Sequence, residues 1–206
     1  MPLSDYIKRY IDEAELENSD LRHPAWLRDF FKCFSDSLRQ SATKASSGDR
    51  YIVSVAFRDV LINHLFPKKI VIKPEEHLDE HIDISTSDPL GRLLKNKRVD
   101  FFIAGKNVDL FIEFKTNLQF NDLAAAMVEM AALKRFFSPE KTKTVQTASL
   151  HLFPSQPDIE GLRALNAVIG NPPLDHIWVL CKAQPEFRFD IDAIKSFRKQ
   201  VTEIVG

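Results

Sequence analysis

Glycine is scarce in this 206-residue chain: six residues, at 48, 91, 105, 161, 170 and 206. No two stand close enough for GxGxxG or GxxxxGK[ST], the loops whose bare backbone closes around a phosphate. Enzymes that hold a nucleotide in such a loop are therefore excluded. Cysteine is scarcer still, with only Cys33 and Cys181. Two thiols build no disulfide framework, so a reducing, cytoplasmic setting is the expectation. No apolar run approaches the ~20 residues of a membrane-spanning helix. The opening MPLSDYIKRYIDEAELENSD mixes charges throughout and lacks the apolar centre of a signal peptide. Net charge is also nearly absent, 28 Lys+Arg against 29 Asp+Glu. That excludes a chain coated in basic residues but leaves room for a local basic patch.

What is present is a globular composition, 44% apolar and 28% charged, with sixteen phenylalanines. Residues 4–40 read as two helices, with Ser4 and Asp5 as a cap and Pro24 early in the second. The small, polar stretch 41–49 reads as a loop, and a third helix is expected over 50–65. Past Pro67 the pattern turns to strands: KKIVIK (68–73), RVDFFIAG (98–105), NVDLFIEFKTN (107–117), ASLHLF (148–153) and DHIWVLCK (175–182). The short turn Gly105-Lys106-Asn107 predicts an antiparallel hairpin. Helices are expected at 121–137, capped by Asn121, at 158–169 and at 191–205. The fold class is then α/β, a mixed sheet flanked by helices, with a helical extension over 1–45 and a core over 46–206.

The chemistry gathers around the predicted hairpin. Strand side chains alternate, so Asp109, Phe111, Glu113 and Lys115 share one face, and Leu110, Ile112, Phe114 and Thr116 the other. Asp100 lies across the hairpin in apolar company. Two carboxylates repel each other, and burying either alone is costly. A divalent cation between them resolves both problems, and hard oxygen ligands suit Mg²⁺. The plain alternative is a surface ion pair of Glu113 with Lys115, and Asp100 as a strand-end residue.

The run VDFFIAGKNVDLFIEFK resembles the signature of the PD-(D/E)xK nuclease superfamily, the fold of many type II restriction endonucleases. An acid, Asp100, begins one strand; after a short loop comes Glu113-Phe114-Lys115 as (D/E)-x-K, followed by a helix and a strand. The family's proline is replaced by Val99, and the resemblance covers about 50–155. It implies a restriction endonuclease-like fold and a Mg²⁺-dependent DNA endonuclease in which Mn²⁺ substitutes. Asp100, Glu113 and the Phe114 backbone carbonyl would be metal ligands, and Lys115 would position or deprotonate the attacking water. Asp59 is the candidate third, helix-borne acid, or else a solvated position beside Asn63. The resemblance equally admits a nuclease-fold protein that binds nucleic acid or protein without cutting.

Basic clusters supply the expected DNA contacts: Lys95, Lys97 and Arg98 before Asp100, and Lys134 with Arg135 at the end of the helix after the motif. Lys68-Lys69 and Lys141-Lys143 are further clusters. Cutting both strands of a duplex takes two sites, which admits a homodimer. His77-x-x-Glu80-His81 has a zinc-peptidase spacing but reads as a loop, where the two histidines share no helix face. Asn171-Pro172-Pro173 reads as a turn before a strand.

Overall fold

In the computed structural model the described residues are 3–44, 48–83, 87–115, 120–137, 143–152, 156–182 and 188–206. They divide into two compact units, Met1–Lys69 and Ile70–Gly206.

The first unit is helical: α1 (Asp5–Ser19), α2 (Ala25–Lys44) and α3 (Asp49–Val60), the last running on as a π-helical turn, Leu61–Leu65. Ser4 caps α1, its hydroxyl accepting the Ile7 N–H at 3.2 Å. Apolar residues three and four apart become the buried stripes: Ile7, Tyr10, Ile11 and Ala14 on α1, and Leu27, Phe30, Phe31, Phe34 and Leu38 on α2. Phe57 of α3 meets Phe30 and Phe34 edge-on, each at 5.7 Å between ring centres. Composition placed the end of the extension at residue 45. The compact unit itself runs to Lys69, with α3 packing its phenylalanine onto α2.

The second unit is a five-stranded sheet in the order β1 (Ile72–His77), β2 (Arg98–Ala104), β3 (Val108–Lys115), β4 (Thr144–His151), β5 (His176–Val179). The pairs β1/β2 and β2/β3 are antiparallel, while β3/β4 and β4/β5 are parallel. Parallel neighbours need crossovers. Here α5 (Phe120–Phe136) links β3 to β4, and α6 (Gln156–Val168) links β4 to β5. A short α4 (Pro89–Leu94) precedes β2, and α7 (Ile191–Val205) ends the chain. The architecture is the expected α/β class, a mixed open sheet flanked by helices.

Being central, β3 is buried on both faces. On one, Phe111 lies against Phe102 of β2, ring centres 4.8 Å apart, beneath Met127, Met130 and Leu133 of α5. On the other, Phe114, Leu150 and Trp178 follow one another across the register, and Phe197 of α7 meets Trp178 at 4.9 Å.

Several boundaries differ from expectation. The first strand begins at Ile72 rather than Lys68, because pairing with β2 starts at Ile72↔Ile103. The stretch after it is a strand end and a 3₁₀ turn, Leu78–Glu80, rather than open loop. Strand β4 starts at Thr144, four residues early, because its parallel register with β3 opens at Val108↔Thr144. Helix α5 begins at Phe120, so Asn121 lies inside its first turn. Thr116 and Lys141 lie outside the described residues.

Candidate functional site

Pairing of β2 with β3 runs from Ala104↔Asp109 to Phe101↔Ile112. One further step places Asp100 opposite Glu113. Gly105 N–H bonds to Val108 O, so counting down the ladder makes this a non-hydrogen-bonded position, where facing side chains stand closest. Asp100 Oδ2 accepts the Phe114 N–H at 2.8 Å. An extended residue sends its N–H and C=O to the same edge, so the Phe114 carbonyl leaves β3 on the side that Asp100 occupies. Lys115 Nζ donates to Glu113 Oε2 at 3.0 Å.

Glu113 is only 5% exposed. Burial, and then the negative charge of Asp100, push its carboxyl up to about 8, with Lys115 pulling the other way. A buried acid facing a second carboxylate is an arrangement that a shared proton or a cation stabilises. Asp100, Glu113 and Lys115 line a cavity of about 270 Å³ together with Lys97, Arg98, Ala126 and Glu129.

Glu129 was not singled out in the sequence. It comes from α5 and pairs with Lys97 at 2.9 Å, which raises the Lys97 pKa. Its signal was there: Glu129 is the sole charge in AAAMVEMAAL, an otherwise apolar helical run. Ser149 and His151 were also missed, being read only as part of a strand. They stand opposite Glu113 and Lys115 in the parallel register.

Asp59, the sequence candidate for a helix-borne acid, is an exposed residue of the first unit. It lines a cavity of about 550 Å³ with Asp36, Asn63, Cys33 and His64, among others, where Cys33 Sγ lies 3.5 Å from His64 Nδ1.

The basic residues divide by what they touch. Lys95, Lys97 and Arg98 are exposed, with Arg98 Nε donating to His77 Nε2 at 3.1 Å. Arg135 is exposed and its guanidinium lies 5.3 Å from the centre of the Phe136 ring. Lys134 differs. Its side chain is 14% exposed, and Nζ donates to Asp175 Oδ1 at 2.7 Å and to Pro172 O at 2.9 Å, tying α5 to the turn before β5. Lys143 pairs with the buried Asp109 at 3.1 Å. His77 and His81 have different partners, for His77 accepts from Arg98 while His81 is buried, 3.3 Å from Glu76 Oε1 and 4.6 Å from the centre of the Phe102 ring. Among the described residues no group of three or more His, Cys, Asp or Glu is placed to hold a metal ion, and no helix is long and apolar enough to cross a membrane.

No family model and no curated protein matches the sequence. In class, the chain is an open mixed sheet with helices on both faces and a carboxylate pair at the end of its central hairpin. Two solved structures resemble it. One is NucC of P. aeruginosa ATCC27853 in a cAAA-bound form, 14% identical, covering 87% of this chain and 77% of that one, with a TM-score of 0.42. The other is NucC of E. coli MS115-1 in a cAAA-bound form, 11% identical, covering 99% and 92%, with a TM-score of 0.45. At such identities the likeness concerns the fold and assigns no residue a role.

Proposed function

We propose that the protein is a Mg²⁺-dependent DNA endonuclease whose site is Asp100, Glu113 and Lys115. The observation that carries the reading is the half-buried Asp100 facing the buried Glu113, open to a cavity beside the Lys115 ammonium. The donor set fits a hard divalent cation, since it consists of two carboxylates and a strand-edge carbonyl and contains no sulfur or imidazole. Asp100, Glu113 and the Phe114 carbonyl would hold Mg²⁺, with Mn²⁺ able to substitute. Such an ion, when bound, supplies charge neutralisation at phosphorus and a more acidic water.

The chain's own residues do the rest. Glu113 holds Lys115 by its hydrogen bond, so the ammonium stays at the cavity wall, where it can orient a water and exchange a proton with it. Lys97 and Arg98 line the same cavity and provide positive charge for the phosphates that enter. Glu129 holds Lys97 in place. By resemblance the products would carry 5′-phosphates. Because both strands must be cut, a homodimer is part of the proposal, and sedimentation of the purified protein measures it.

The direct test is incubation with plasmid and linear DNA in Mg²⁺ or Mn²⁺. Cleavage is expected, and Lys115→Ala should reduce it at least ~100-fold, with Asp100→Asn and Glu113→Gln comparable. Persistent absence of cleavage, or cleavage that survives Lys115→Ala, would sink the proposal. A second reading is a nucleic-acid-binding or protein-interaction module that does not cut. Mn²⁺ titration separates the two. A binding event lost in Asp100→Asn supports the enzyme, whereas salt-dependent DNA binding indifferent to metal supports the module.

A further inference from the structure

The face of the sheet that carries the acidic pair continues onto β4. Glu113 stands opposite Ser149 and Lys115 opposite His151, and residues so paired share a face about 4.8 Å apart. Along β3, Lys115 Nζ donates to Glu113 Oε2 at 3.0 Å; along β4, Ser149 Oγ and His151 Nε2 lie 2.6 Å apart. Four polar side chains thus form one block of sheet surface. The next strand continues it with Ile177 and Val179, so the polarity ends at β4. Ser149 and His151 are 1% and 0% exposed, which leaves them no part in hydrating the surface.

A buried imidazole is costly unless its nitrogens are used. Nε2 has Ser149, while Nδ1 has no hydrogen-bond partner among the described residues. Burial, and then the nearby Lys115 charge, push the ring's pKa down to about 4, so at pH 7 one nitrogen donates and the other accepts. With the proton on Nδ1, an unpartnered N–H would lie buried within reach of the field of an ammonium, unfavourable on both counts. With the proton on Nε2, that N–H goes to Ser149 Oγ. The serine hydroxyl is then left to donate towards Glu113, and Nδ1 keeps a lone pair for a cation.

We propose that Ser149 and His151 are positioning residues for the acid–lysine pair: His151 presents Nδ1 as an acceptor to the Lys115 ammonium through one water, while Ser149 donates to Glu113. Both ends of the Lys115–Glu113 hydrogen bond are then held from the neighbouring strand. The catalytic consequence rests on the nuclease reading, but the hydrogen-bond arrangement does not.

Two measurements keep these apart. Long-range ¹H–¹⁵N NMR of histidine-labelled protein at pH 7 reads the His151 tautomer without any need for activity. The expected result is an unprotonated Nδ1 whose resonance moves in Lys115→Met and again in Ser149→Ala. A protonated Nδ1, or one indifferent to both substitutions, overturns the proposal. In DNA cleavage, His151→Phe keeps ring bulk and is expected to lower kcat about 10- to 100-fold, with KM within about twofold. His151→Gln keeps an acceptor and should recover most of that loss. Equal losses in the two variants, or none in either, would reduce the residue to packing and overturn the proposal. Should the unaltered protein fail to cut DNA, the nuclease reading falls and the NMR result still decides the hydrogen-bond arrangement. Ser149→Ala is the mildest change and guards against misfolding, with its circular dichroism expected to match that of the parent protein.

Discussion

Glu113 and His151 are both buried ionisable residues on neighbouring strands, and burial moves them in opposite directions. A carboxyl loses hydration when it ionises, so its pKa rises; an imidazole loses hydration when it takes up a proton, so its pKa falls. For His151 the consequence is an acid-sensitive fold. The unfolded chain protonates the ring near 6.5 while the folded chain resists until about 4. Over that window the unfolded state binds more protons, so stability falls as pH drops from about 6.5 to about 4 and is level in this respect above it. Thermal unfolding of parent and His151→Gln between pH 4 and 8 should therefore show a shallower acid limb in the variant; parallel curves would refute the assignment. At this scale the sequence was legible where chemistry is written in residue type. Asp100, Glu113 and Lys115 stand out because charges interrupt apolar strands. Ser149 and His151 do not, because their burial follows from register with β3.

The β2–β3 hairpin shows what an element adds. Its turn was predicted from Gly105, and the structure gives the reason that glycine is needed there. A Cβ on Gly105 would stand 2.3 Å from Val108 O and 2.8 Å from Val205 Cα, so both the turn and the end of α7 occupy its space. Gly105→Ala should destabilise the fold by about 1–3 kcal/mol in chemical denaturation. Gly161, inside α6 with nothing within 4 Å of a built Cβ, is the contrast. Gly161→Ala should stabilise by about 0.4–1 kcal/mol, through helix propensity and reduced freedom of the unfolded chain. Opposite signs are the expectation, and two losses of similar size would contradict the packing described. Long periodic elements such as α2 and α7 were readable from spacing. The six-residue α4 was not, since it is too short to repeat its pattern, and β1 was displaced because pairing rather than propensity chose its start.

For the molecule as a whole, a net charge of -1 says little about DNA, because binding depends on where the cations stand. Lys97 and Arg98 line the cavity, while Lys134 is engaged with Asp175 and Pro172. Lys97→Ala and Arg98→Ala should each lower the slope of log binding constant against log salt by about one. Lys134→Ala should leave that slope unchanged and lower the melting temperature instead. A titration series at several salt concentrations reads both. The sequence by itself determined the α/β class, the hairpin, and the residues whose charge is anomalous in apolar strands, because periodicity and composition are local properties. Tertiary structure alone decided which acid of a helix faces the cavity, Glu129, and which lysine is tied down. It alone also set Ser149 and His151 beside the acid–lysine pair. These depend on strand register and on contacts between residues distant in sequence, and no local pattern encodes them.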